Sequence, residues 1–287
     1  MRLNSCLRME SARFEKVIGP RSDVFGLGVG ELLAYRDMLY FLVLRDLKIR
    51  FKQSLLGAGW ALLQPLVMVA VFTLVCNRGM SVRFSGPYDL FFLAGLLPWS
   101  YFSKAFSGGV TCIVNEVDLV KKIYFPRLVL PLAQIISALS DFAIALLVMG
   151  ALMAWRGVAP GPNLLLLPVF LLLAALFALA LSLWLAPLNV RFRDVQIVLP
   201  FLLQVLFMLS PVMYPMEAVQ GRLPPALRWA YGLNPVAAII EGFRFSILGA
   251  GQPFAAPCLC SYAAVVLLAM GGLAFFNHTQ RKFADVI

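Results

Sequence analysis

Six stretches of this chain run for about twenty residues or more with almost no charge, the length an α-helix needs to cross a hydrocarbon layer about 30 Å thick. They are Gly57–Cys76, Tyr88–Val110, Leu128–Trp155, Asn163–Asn189, Val195–Met216 and Pro257–Phe276. In such a layer no water satisfies the backbone, so each stretch must close its own hydrogen bonds as a helix. Only 13% of the 287 residues are charged and 61% are hydrophobic, against roughly 25% charged in a soluble domain. A water-soluble fold is excluded, and the sequence reads as an all-α integral membrane protein with six transmembrane helices. The fifth stretch is the irregular one: Pro200, Pro211 and Pro215 each remove a backbone donor and kink or end a helix.

The net charge of +10 acquires its meaning from where the basic residues fall. With the N-terminus inside and six crossings, 17 of the 24 Lys and Arg lie on the cytoplasmic side and six on the other, while Lys104 falls within a span. That asymmetry fixes the orientation, with both termini cytoplasmic, and removes nucleic acid as the reason for the basic charge. Five cysteines without a C-x-x-C pair, and His278 as the one histidine, indicate neither a disulfide framework nor a zinc site. Residues 1–30 carry five basic side chains and no sustained apolar core, so they read as a cytoplasmic extension, not a cleaved leader. The organisation expected is this extension, an amphipathic helix over residues 31–56, and a six-helix transmembrane domain over 57–287.

Within residues 31–56, Tyr40, Val43, Leu44, Leu47 and Phe51 form an apolar stripe, with Arg45, Lys48, Arg50 and Lys52 on the polar side. Such a helix lies along the membrane surface, either as an anchor for the first span or in contact with a cytoplasmic partner. The loop after the second span, TCIVNEVDLVKKIYFPR, carries more apolar residues than solvation requires. A short helix over Asn115, Glu116, Val117, Asp118, Leu119, Val120, Lys121, Lys122, Ile123 and Tyr124 either docks into a groove of another protein or rests on the membrane. Beyond the fifth span, Asn234-Pro235 marks a helix start and Gly249 its end. Val236, Ile239, Ile240, Phe243 and Ile247 give that helix one apolar face, and Glu241 and Arg244 pair on another. It either lies in the outer interface or dips back into the membrane.

No phosphate loop and no Gly-Lys pair occur, so ATP hydrolysis cannot be assigned to this polypeptide. Intramembrane ionisable residues, which are costly and usually functional, reduce to Lys104 and Asp141, either paired with each other or with Asp141 reaching water at a helix end. Phe91, Phe92, Trp99, Tyr101 and Phe102 cluster on the second span. They form either an aromatic belt at the interface or rings against which the apolar faces of sugars stack.

The runs RFKQSLLGAGWALLQPL, LFFLAGLLPWSYFSKA, NEVDLVKKIYFPRLVLPLA, RFRDVQIVLPFLLQVLFMLSPVMYP and YGLNPVAAIIEGFRFSILG, in this order, resemble the permease subunits of ABC exporters for O-antigen, capsule and teichoic-acid polysaccharides. The resemblance covers the chain from about Tyr35 onward and leaves residues 1–30 without a counterpart. It implies a homodimer bound to two copies of an ATP-binding subunit, with ATP and Mg on that partner and no cofactor in this chain. A tunnel along the dimer interface would pass a polyprenyl-pyrophosphate-linked polysaccharide across the bacterial inner membrane. It makes residues 31–56 the interface helix and Asn115–Tyr124 the coupling helix. It makes 217–249 short re-entrant helices on the outer side, and the first and fifth spans the tunnel walls. An exporter of a drug or small amphiphile and a membrane-embedded polyprenyl-phosphate enzyme are the alternatives. A secondary transporter would need mid-membrane carboxylates and an inverted repeat.

Overall fold

The computed structural model describes residues 29–52, 59–79, 87–192, 194–216 and 224–280, and among them every regular element is helical. Residues 1–28, 53–58, 80–86, 193, 217–223 and 281–287 lie outside this description, and with them nearly all of the N-terminal extension, the join between the expected amphipathic helix and the first span, and the start of the expected re-entrant segment.

The helices are α1 (Val29–Ala34), α2 (Arg36–Lys52), α3 (Gly59–Gly79), α4 (Tyr88–Asn115), α5 (Val117–Lys122), α6 (Val129–Arg156), α7 (Leu167–Arg191), α8 (Asp194–Leu209), α9 (Pro225–Gly232), α10 (Pro235–Leu248) and α11 (Ala256–Thr279). A 3-10 turn, Pro162–Leu166, feeds directly into α7. Three helical segments among the described residues, Val129–Arg156, Pro162–Arg191 and Ala256–Thr279, are long and apolar enough to span a membrane by themselves. The other expected spans also form helices, but α8 stops at Leu209 instead of Met216. Pro200 is absorbed within α8, whereas Ser210–Pro215 forms a non-helical turn, because Pro211 and Pro215 cannot extend the helical ladder.

α4 is the central element and packs along both α6 and α7; α11 lies on the far side of α7, and α3 meets α4 and α6. Close approach depends on small residues. A Cβ on Gly109 would lie 2.3 Å from the hydroxyl of Ser182 on α7, and Asn189 of α7 donates to the backbone carbonyl of Val110, 3.1 Å away. One large apolar core joins α4, α6, α7 and α10. A smaller one, around Leu42, Ile113, Phe125, Val129 and Phe276, ties α2 and the α4–α6 connection to the ends of α7 and α11. The two extremities of the bundle are called here the α10 end and the α2 end.

Leu147 of α6 and Leu172 of α7 are 73% and 71% exposed, and α3 and α8 show long apolar faces. Water would penalise so much bare hydrocarbon, while lipid or a second protein surface accepts it.

α10 departs from the one-faced helix expected. Its start and stop follow the sequence signals: Asn234 Oδ1 accepts from the Val236 N–H at 3.0 Å, Pro235 fills the first turn, and Gly249 closes the helix at φ 68°. Nearly every residue between is buried, against α4, α7, α11 and the 3-10 turn. The reason is its small side chains, Ala237, Ala238 and Gly242, which let it sink into the bundle. A Cβ on Gly242 would stand 2.3 Å from the ring of Phe170.

Candidate functional site

At the α2 end, α4 passes into α5 through Glu116, whose φ of −116° and ψ of 33° break the helix and turn the chain. Asn115 is the last residue of α4, with its amide donating to the Thr111 hydroxyl at 3.3 Å. α5 restarts because Glu116 O accepts from the Val120 N–H at 3.0 Å. Asp118 sits in its first turn and Lys121 and Lys122 in its last, the charge order that suits a helix dipole. The helix is thus six residues long, shorter than the ten-residue segment expected. Leu119 and Val120 lean on the smaller core. Ile123, in extended conformation, and Tyr124 follow, 53% and 71% exposed, before Phe125 turns inward and is buried. The result is an apolar tip on a charged stem, projecting from the bundle's central helix.

α2 lies against α6 beside this turn, and Val43 of its expected apolar stripe packs on the smaller core. Tyr35, Met38, Leu39 and Leu42 pack on the smaller core, while Tyr40 and Phe41 are exposed. Arg45, expected on the polar outer side, points inward. Its guanidinium grips Glu116 in two bonds, Nη1 to Oε2 at 3.0 Å and Nη2 to Oε1 at 2.5 Å, the bidentate fit that Arg makes with a carboxylate. It also donates to Asp46 at 3.1 Å, and Asp46 accepts from Gln134 of α6 at 2.7 Å. Beside Glu116 the Arg45 guanidinium holds its proton more firmly still. One carboxylate therefore joins the surface helix, the α4–α5 turn and, through Asp46, α6. Lys48 is exposed; the side chains of Arg50 and Lys52 lie outside the described residues.

The aromatic cluster of α4 faces the chain's own core. Phe91, Phe92, Trp99, Tyr101 and Phe102 are all buried. Phe92 stacks on Phe72 of α3 with centroids 4.8 Å apart, Phe102 on Phe177 of α7 at 5.0 Å, and Trp99 meets Phe207 of α8 at 5.3 Å. Within one chain these rings pack α4 against α3, α7 and α8.

Ion pairs mark three depths. Near mid-helix, Lys104 pairs with Asp141 across α4 and α6, the first of the two expected arrangements. At the α10 end, Arg156 donates to Asp89 from Nε at 2.8 Å and Nη2 at 2.5 Å, joining the end of α6 to the start of α4. Arg244 and Glu241 of α10 pair at 3.3 Å, as expected, but inside the protein. The Arg244 guanidinium also donates to Val212 O at 2.9 Å and Tyr214 O at 3.4 Å, and lies 3.7 Å from the centre of the Phe91 ring. Sequence reasoning placed this pair on a face apart from the apolar one; the small residues around it were the available signal for burial. Among the described residues no three His, Cys, Asp or Glu gather as metal ligands.

Residues 38–248 match the family model described as ABC-2 type transporter. The O-antigen export system permease protein RfbA of Myxococcus xanthus is 34% identical over 263 residues, 90% of this chain and 98% of that protein. A Klebsiella pneumoniae protein of the same name is 25% identical over 252 residues, 88% of this chain and 95% of its own. The polysialic acid transport protein KpsM of Escherichia coli is 27% identical over 217 residues, 72% of this chain and 80% of its own.

Proposed function

This chain belongs to the ABC-2 type transporter family, and on that footing we propose that it is the membrane subunit of an ATP-driven exporter of lipid-linked polysaccharide, O-antigen being the first choice of cargo. It works as a homodimer with two copies of an ATP-binding subunit, and ATP and Mg act on that partner. The α2 end faces the cytoplasm of a bacterium and the bundle crosses its inner membrane with six spans. The distribution of basic residues supports this orientation.

The observation that carries the reading is the tip formed by Ile123 and Tyr124 behind α5. It is apolar, uncovered and joined rigidly to α4, so a partner that holds it can pull or turn the most deeply packed helix of the bundle. The Arg45–Glu116 grip makes α2 move with it, giving a rigid-body or hinge displacement its lever. Glu116 thus works as a structural joint, not as the metal-binding or basic carboxylate an enzyme would need.

The conduit wall falls to the exposed faces of α3 and α8, where Leu66, Val67, Phe201 and Met208 stand uncovered. A second copy meeting these faces encloses a passage whose apolar surfaces grip a sugar polymer weakly and repeatedly, which is the condition for it to advance.

Co-purification of the tagged chain from its native membrane tests the proposal. An ATP-binding subunit in equal amount, with hydrolysis stimulated by lipid-linked glycan, is the expected result. A chain that purifies alone refutes the exporter assembly, and hydrolysis stimulated by small amphiphiles in place of glycan transfers the reading to a drug exporter.

A further inference from the structure

From Tyr88 to Trp99, α4 is buried at every position; from Ser100 on, one face emerges. That face reads Ser100, Ser103, Lys104, Ser107 and Thr111, at the spacing of a single helical stripe, and all five are exposed or half-buried. Across from it α6 presents Ser140 and Asp141, with Lys104 and Asp141 in contact. α3 covers α4 elsewhere, where Val69 is buried and Phe72 stacks on Phe92. The seam begins at the Arg45, Asp46 and Gln134 cluster and runs up the bundle.

Depth decides what this seam faces. Lys104 lies eleven residues before the end of α4 and Asp141 twelve after the start of α6, so at 1.5 Å per residue both sit about 17 Å from the α2 end. Counted from the span limits Val110 and Leu128, Lys104 lies about 9 Å and Asp141 about 20 Å inside a hydrocarbon layer about 30 Å thick. Serine and threonine hydroxyls tolerate lipid when they donate back to their own helix, as Ser103 does to Ser100 O at 3.2 Å and Thr111 to Ser107 O at 3.1 Å. A Lys side chain 44% exposed at that depth does not tolerate it, because intramembrane charges face protein or a water-filled cavity.

We propose that this seam is a water-filled recess, opening at the α2 end and reaching mid-membrane, that takes the uncharged hydroxyl-bearing sugar units of the transported polymer. The choice of sugar rests on the exporter reading above. The lining supports it: hydroxyls predominate, and the cation on the seam is matched by a carboxylate. An anionic group such as a pyrophosphate meets Asp141 beside Lys104, and at the mouth Asp46 and Glu116, which already hold Arg45, so with three carboxylates to two cations the recess suits a neutral polyol better than a phosphate.

Cysteine at Ser103 or Ser107, introduced into the full chain in native membranes with its partner, tests the recess through a membrane-impermeant trimethylammonium methanethiosulfonate reagent. Labelling is read above that of the parent chain and compared with cysteine at Leu147 or Leu172, which stand on apolar exposed faces. Because the reacting species is a thiolate, the seam positions label at least about tenfold faster than the apolar ones. Purified lipid-linked glycan from the same cells, added with a non-hydrolysable ATP analogue, slows labelling at the seam and leaves the controls unchanged. Seam rates equal to those at Leu147 and Leu172 overturn the recess, whether another protein surface or lipid seals it. Fast labelling indifferent to glycan overturns the sugar assignment. Hydrolysis is measured in the same preparation: if glycan fails to stimulate it, the exporter reading falls and the choice of sugar with it, while the contrast in rates still decides whether the recess is open.

Discussion

Replacing Arg244 with methionine removes the charge that holds α10 in place while keeping most of the side chain's bulk. The guanidinium is 1% exposed and its carboxylate partner 4%. It donates to Glu241, Val212 O and Tyr214 O and lies on the Phe91 ring. Without it, Glu241 stays buried near the Gln252 N–H at 3.4 Å, and two backbone carbonyls lose a donor. Breaking a buried pair from one side costs about 3–5 kcal/mol. At about 2–4 °C per kcal/mol for a chain of this size, the melting temperature falls by about 10 °C. Fluorescence-detected size-exclusion of the detergent-solubilised protein after heating measures it. Glu241→Gln alone costs less, about 1.5–3 kcal/mol, because the arginine keeps its carbonyls and its ring. The double variant E241Q/R244M recovers part of the loss, since removing both partners of a buried pair is far milder than removing one. A melting temperature for R244M within about 2 °C of the parent, or a double variant losing the full sum of the singles, refutes this account of how α10 is held.

Three further outcomes follow from the geometry. Tyr124→Glu leaves thermal stability within about 0.5 kcal/mol but reduces the ATP-binding subunit recovered with the chain, whereas Phe125→Glu costs about 3 kcal/mol or more by placing a carboxylate in the smaller core; pull-down and melting measurements separate the two. Arg45→Glu sets a third carboxylate beside Glu116 and Asp46, whose side chains are only 21% and 14% exposed, so it costs about 1–3 kcal/mol and lowers export per ATP hydrolysed; the exchange R45E/E116R restores the ratio, and export assayed beside ATP turnover reads it. Gly242→Ala drives a methyl into Phe170 and costs about 1–3 kcal/mol, with Phe170→Leu in the same chain returning part of it, as thermal melting shows.

The helices themselves were legible because each rests on a local signal. The apolar runs gave the long helices, Asn234-Pro235 and Gly249 gave the limits of α10, and the apolar load of the loop after the second span gave α5. Facing was not legible. Counting apolar residues gives α2 a stripe for the membrane surface, but it does not show that the face toward the bundle carries Arg45 and Asp46, which bond to Glu116 and Gln134, 71 and 88 residues further along. A stripe rule takes charge to mean solvent and has no way to foresee so distant a partner. The packing of the α4 rings was no more legible: aromatic faces serve a passage or a core equally well, and their partners within the chain lie on α3, α7 and α8. Lys104 and Asp141 were found because two charges in apolar helices at matching depth have few other partners.

The burial of α10 bears on how the chain is made. At 14 residues it measures about 21 Å, too short to cross the hydrocarbon layer unaided, and it carries two charges into the interior. It is synthesised after α4, the 3-10 turn and α7, which bind it together with α11. Its seat must therefore be ready before it arrives, and α11, the last helix described, closes behind it. α10 is a keystone dropped into an arch already standing. A ribosome halted before Pro235 leaves the arch without it: Phe91 loses its cation, the carbonyls of Val212 and Tyr214 lose their donor, and a gap lined by hydrocarbon and bare peptide is exposed to whatever quality-control machinery patrols the membrane.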